Sequence, residues 1–145
     1  FAADLPVVPV STLAALALGV GRETGYARLA VALDARMSEV YWGTYAVTAD
    51  DAELLGEERV CTPAAVTAPA GGDWFGAGGG WRVHSTALSR RLPVRGCLEE
   101  RYPRAADVAR LAAVPRQRAG WVSPDLALPV YLRNEVVAGR VASAH

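Results

Sequence analysis

Short β-branched and aromatic runs alternating with apolar helical stripes, one hairpin early in the chain and 52% hydrophobic residues predict a mixed α/β fold, a mixed sheet with flanking helices. At 145 residues the chain suits a single domain over 1–145 with its own core. Neither an internal repeat nor a Gly/Ser/Pro-rich linker divides it.

Taken in order, Leu5-Pro6-Val7-Val8-Pro9-Val10 reads as a short extended piece whose two prolines suit a sheet edge. Ser11 caps a helix from Thr12 to about Leu18, stopped by Gly19 and Gly21. Leu29 to Leu33 is a continuous apolar run expected of a strand buried on both faces, and Glu39 to Val47 is a second strand. Asp34-Ala35-Arg36-Met37-Ser38 connects them as a hairpin. Arg59-Val60-Cys61 reads as a strand, after which Thr62 and Pro63 supply a cap and an N1 proline for a short helix. Asp73 to Ala77 is a strand running into Gly78-Gly79-Gly80, with a helical segment after Trp81. Arg82 to Glu100 carries the weakest signal. Pro103 opens a helix with Ala105, Val108, Ala109, Leu111 and Ala112 on one stripe and Arg104, Asp107 and Arg110 facing away; Pro115 ends it. Pro129-Val130-Tyr131-Leu132-Arg133 reads as a last short strand, and 138–145 as a frayed end.

Composition narrows the function classes. All fifteen cations are arginine and balance fifteen acids, which leaves no electrostatic footprint for holding a nucleic-acid backbone alone. No apolar run approaches the roughly 20 residues that cross a bilayer, so no membrane partner is expected. Cys61 and Cys97 lie far apart, and only two histidines accompany them, so neither a disulfide framework nor a zinc site is indicated. A reducing cytoplasm fits this usage. The opening Phe1-Ala2-Ala3-Asp4-Leu5-Pro6 lacks an initiator Met and a secretory pattern, so the chain is expected to be part of something longer.

Three ordered blocks carry a family resemblance. Asp34-Ala35-Arg36-Met37-Ser38-Glu39-Val40-Tyr41-Trp42 resembles the DARMGEVYW-like segment of TsaB (YeaZ) proteins, with further matches at Leu5 to Leu13 and at Pro129 to Val136. The resemblance implies a ribonuclease H-like lobe of the sugar kinase, heat-shock protein 70 and actin superfamily, specifically the C-terminal lobe with the N-terminal lobe absent. It implies a non-catalytic scaffold that supports a TsaD-like catalytic subunit, with a TsaE-like ATPase, in threonylcarbamoyl transfer to adenosine 37 of tRNA. Contact with tRNA would be indirect, no cofactor is expected, and apolar surface left by an absent lobe would favour a homodimer. The alternatives are an ATP-binding enzyme or an M22-like peptidase on the same fold.

The residues keep their own readings beside this. Asp34, Arg36 and Glu39 crowd one hairpin, either as turn chemistry with an exposed ion pair or as a recognition surface in which Arg36 grips a carboxylate and Tyr41 and Trp42 anchor a partner. Alternation puts Tyr41 and Trp42 on opposite faces, so at least one belongs to the core. Arg133 either snorkels or pairs with Glu135, or else it serves a buried ion pair or a contact surface with Asp34 or Glu39 as partner. Gly76, Gly78, Gly79 and Gly80 form either a tight strand-to-helix turn with Trp81 beneath it or a vestigial nucleotide loop. The hairpin itself has no glycine for close backbone approach to a phosphate. His84 and His145 have no ligand-spaced carboxylate or cysteine, and no serine or cysteine sits in a nucleophile context, so no catalytic or metal site is expected.

Overall fold

Ser11 is extended (φ −66°, ψ 133°), and its hydroxyl accepts the Ala14 N–H at 3.3 Å, which starts helix α1, Thr12–Thr24. This computed structural model describes residues 3–133; the expectations placed on Phe1, Ala2, Asn134, Glu135, Val136, the 138–145 segment and His145 lie outside the described residues. α1 does not stop near Leu18 but runs through both glycines to Gly25, whose φ of 77° closes it. Each helical glycine costs about 1 kcal/mol against alanine. Close approach explains them: a Cβ on Gly19 would stand 2.8 Å from an Asp107 carboxylate oxygen, and one on Gly21 2.6 Å from Val47 Cγ1.

Strands β1 (Arg28–Ala35) and β2 (Glu39–Val47) form the predicted hairpin, paired from Arg28↔Ala46 to Ala35↔Glu39. Two short strands, β3 (Ala52–Leu54) and β4 (Arg59–Cys61), pair antiparallel with different halves of β2. On the other side β5 (Phe75–Ala77) runs parallel to β1, and β6 (Cys97–Leu98) parallel to β5, giving the order β3-β2-β1-β5-β6, with β4 also paired to β2. Both faces of β1 are buried, as its apolar run predicts. Leu29 and Val31 join α1, Tyr45 and Leu111 in one core, whereas Ala30 and Ala32 join Trp42, Trp74, Trp81 and Leu88 in the other.

The weakly legible stretch folds as helices α2 (Gly80–Val83) and α3 (Ser85–Arg91) followed by β6. Helices α4 (Ala105–Ala113) and α5 (Pro115–Arg118) follow, and α4 packs on α1. Asp107 faces inward at 4% exposure rather than away, because Gly19 leaves room for its carboxylate and Arg110 pairs with it at 3.2 Å, while Val108 is exposed. After Thr62, whose side chain makes no capping bond, Pro63–Ala65 is only a single 3₁₀ turn. The Leu5–Val10 piece contributes one antiparallel bridge, Val7↔Val122, since Pro6 and Pro9 have no N–H for a ladder. Pro129 to Arg133 forms no strand; Val130 and Tyr131 are exposed.

Candidate functional site

β1 and β5 run in the same direction, and their carboxyl ends bring together the hairpin tip and the glycine turn. This end of an open α/β sheet is where ligands bind. Arg36, Met37 and Ser38 make the hairpin connection, with left-handed φ of 68° at Met37 and 59° at Ser38. Such conformations cost about 1–2 kcal/mol for residues with a Cβ and persist where neighbours hold them. Arg133 does so: its guanidinium pairs with Glu39 at 2.6 Å, donates to the Arg36 carbonyl at 3.0 Å and reaches the Met37 sulfur at 3.4 Å. The Arg133 and Glu39 side chains are 16% and 27% exposed, so this is a shielded clamp rather than a loose surface pair.

Asp34 closes the other side of the tip. Its Oδ1 lies 2.9 Å from His84 Nε2, at the junction of α2 and α3, linking hairpin to glycine turn. Sequence reasoning missed this contact because 50 residues separate the two. The Arg36 side chain is exposed and takes part in none of the ion pairs among the described residues, so it is the cation this tip presents outward.

Tyr41 and Trp42 separate as the alternation requires. Trp42 is core, 1% exposed, its indole N–H donating to the Thr67 carbonyl at 2.9 Å. An anchor for a partner cannot be buried this way, so only Tyr41, on the α1 side of β2, has an accessible face.

In the glycine turn, packing accounts for three of the four residues. A Cβ on Gly76 would stand 2.9 Å from the Trp81 ring, on Gly78 2.5 Å and on Gly80 2.8 Å from the Ala32 carbonyl oxygen. Trp81 lies beneath, its N–H donating to the Ala30 carbonyl at 2.8 Å. Gly79 alone has open space around it. The turn is therefore a tight strand-to-helix connection seated on β1.

Burial pushes the thiols of Cys61 and Cys97 up from their ordinary range, which keeps them protonated and poorly nucleophilic. Among the described residues no three His, Cys, Asp or Glu side chains gather as metal ligands, and no helix is long and apolar enough to cross a membrane. A second polar cluster escaped the sequence reading: Glu58 accepts hydrogen bonds from both the Ser11 and Tyr45 hydroxyls. Chemically, the hairpin end can present charge and shape, and among the described residues it assembles no activated nucleophile.

Sheet order, helices on both faces and the hairpin beside a glycine turn define a ribonuclease H-like α/β fold of the actin-like class. The family model for TsaD, tRNA N6-adenosine threonylcarbamoyltransferase, matches residues 1–85. The tRNA threonylcarbamoyladenosine biosynthesis protein TsaB of Escherichia coli K12 is 34% identical over 139 residues, 92% of this chain and 60% of that protein. Its Haemophilus influenzae counterpart is 32% identical over 145 residues, 94% and 60% of the two chains. Two Pseudomonas aeruginosa structures superpose with a TM-score of 0.83 each. One, described as a protein with similarity to peptidase YEAZ, is 42% identical and is matched over 92% of this chain and 62% of that one. The other, YeaZ, is 41% identical over 91% and 61%. The chain belongs to the family that this model describes, in its TsaB (YeaZ) branch. It spans about 60% of the length of the curated relatives it matches.

Proposed function

We propose that this chain is the C-terminal lobe, a single domain, of a TsaB-type protein that serves as a non-catalytic subunit in threonylcarbamoyl transfer to adenosine 37 of tRNA. The observation that carries the reading is the likeness to two proteins named for threonylcarbamoyladenosine biosynthesis, along more than nine-tenths of this chain. The chemistry of the hairpin end supports the non-catalytic part. Asp34 is tied to His84, Glu39 to Arg133, and both thiols are held protonated. In this reading the parent protein works in the cytoplasm with a TsaD-like catalytic subunit and a TsaE-like ATPase, meets tRNA only through them, and has the option of a homodimer.

The test is nucleoside mass spectrometry of tRNA from cells depleted of the parent protein. Threonylcarbamoyladenosine should fall on depletion and return with the full-length protein, including a form in which Asp34, Cys61 and Cys97 are all replaced by alanine. An unchanged nucleoside level under verified depletion would refute the pathway. Recovery with the unaltered protein but not the triple variant, at equal abundance, would refute the non-catalytic role.

A further inference from the structure

A cavity of about 790 Å³ lies between the start of α1, the hairpin strands and the 127–133 segment. Val10, Leu13, Leu33, Tyr41 and Val130 form much of its wall. Small-molecule sites occupy roughly 300–1,000 Å³, with apolar walls and a few placed polar groups. Two charged side chains reach this one, Arg133 and Glu58. Arg133 is neutralised by Glu39 and occupied further by the Arg36 carbonyl. Glu58 differs. Both hydroxyls that bond it, from Ser11 and Tyr45, donate to Oε1, and among the described residues neither a hydrogen-bond partner for Oε2 nor an ion pair for the carboxylate is formed. Two neutral donors fix a carboxylate in place without cancelling its charge.

The cluster is held rigidly from both sides. Ser11 is the cap of α1, and Tyr45 is 1% exposed, its ring lying over Gly43, where a Cβ would meet the Tyr45 oxygen at 2.8 Å. Neither Asp34 nor the Gly76–Gly80 turn lines the cavity, so it is separate from the hairpin end's glycine loop.

We propose that this cavity binds a small apolar primary amine, with its hydrocarbon body against Val10, Leu13, Leu33 and Tyr41 and its ammonium on Glu58 Oε2. An alcohol of the same shape offers a donor without charge, and the matching carboxylate meets repulsion. NMR titration of the 145-residue chain with hexylammonium, 1-hexanol and hexanoate tests this. Hexylammonium should shift the resonances of Val10, Leu13, Leu33 and Tyr41, with a dissociation constant at least about tenfold below that of hexanol, a gap of about 1.4 kcal/mol. Hexanoate should bind most weakly. Glu58→Gln keeps an acceptor for both hydroxyls and should bring the amine and alcohol to similar affinity. Equal binding of amine and alcohol to the unaltered chain, no shift at these four residues, or an undiminished preference in Glu58→Gln would each overturn the proposal. Should that variant not fold, the comparison of hexylammonium with hexanol on the unaltered chain decides alone.

Discussion

Replacing Gly78 with alanine tests whether the glycine turn owes its composition to packing. Its φ of 101° is a backbone conformation that side chains with a Cβ rarely adopt, and the added carbon would stand 2.5 Å from the Ala32 carbonyl oxygen, where ordinary contact begins near 3.4 Å. The obstructing atom is backbone in the middle of the sheet and cannot swing aside. The disfavoured conformation costs about 1–3 kcal/mol and forced overpacking about 1–3 kcal/mol more. A loss of about 4 kcal/mol is therefore expected. Gly80 meets the same oxygen at 2.8 Å without a positive φ, so Gly80→Ala should lose about half as much, the overpacking part alone. Gly79 has φ −65° and nothing within 4 Å, so Gly79→Ala should stay within about 0.5 kcal/mol. Urea unfolding followed by tryptophan fluorescence measures all three. Gly78→Ala indistinguishable from the parent, or Gly79→Ala as damaging as Gly78→Ala, would refute the packing explanation.

Two further perturbations follow from buried polar groups. Gly19→Ala should destabilise the chain, whereas in an Asp107→Ala background the same change should stabilise it by about 0.5–1 kcal/mol as helix propensity takes over. A double-mutant cycle from urea midpoints reads the coupling, and additive effects would contradict the Gly19–Asp107 contact. Burial first, and then donation to Glu58, hold the Tyr45 hydroxyl well above the usual phenol range, whereas an unfolded tyrosine ionises near 10. The unfolded state therefore releases this proton first. The stability it carries is present below pH 10 and declines above it. Tyr45→Phe should flatten that decline in midpoints measured from pH 8 upward, and parallel curves would count against it.

Where local propensity and global packing agree, the chain is transparent. Glu39 to Val47 is strand because its β-branched and aromatic residues alternate between two cores, and Ser11 starts α1 with the hydroxyl its position suggests. Where a residue's reason lies in a distant partner, sequence reasoning fails. Gly19 and Gly21 look like helix stops until Asp107 and Val47 press against them. Asp107 looks solvated, being charged and flanked by arginines, yet it fills the space that Gly19 leaves. At the site, the sequence admits an Arg133–Glu39 pair, because both residues lie in recognisable blocks. His84 beside Asp34 and Glu58 between Ser11 and Tyr45 were invisible, since neither contact leaves a local periodicity or spacing. Pro129 to Arg133 misled for the opposite reason: apolar residues bounded by proline read as strand even where no sheet edge is offered to them.

The way β3 and β4 divide the outer side of β2 bears on solubility. A long open strand edge is a template for pairing with another molecule, and proteins guard against it by keeping edges short or covered. Here β4 covers Val40 to Trp42 and β3 covers Tyr45 to Val47. The gap between them is filled by Leu55, whose N–H bonds the Thr44 carbonyl at 2.7 Å while its carbonyl accepts the Thr44 hydroxyl at 2.6 Å. The opposite margin, β6, is only two residues long. A sheet guarded on both sides offers an incoming strand little to add to, which favours recognition by side chains over recognition by backbone.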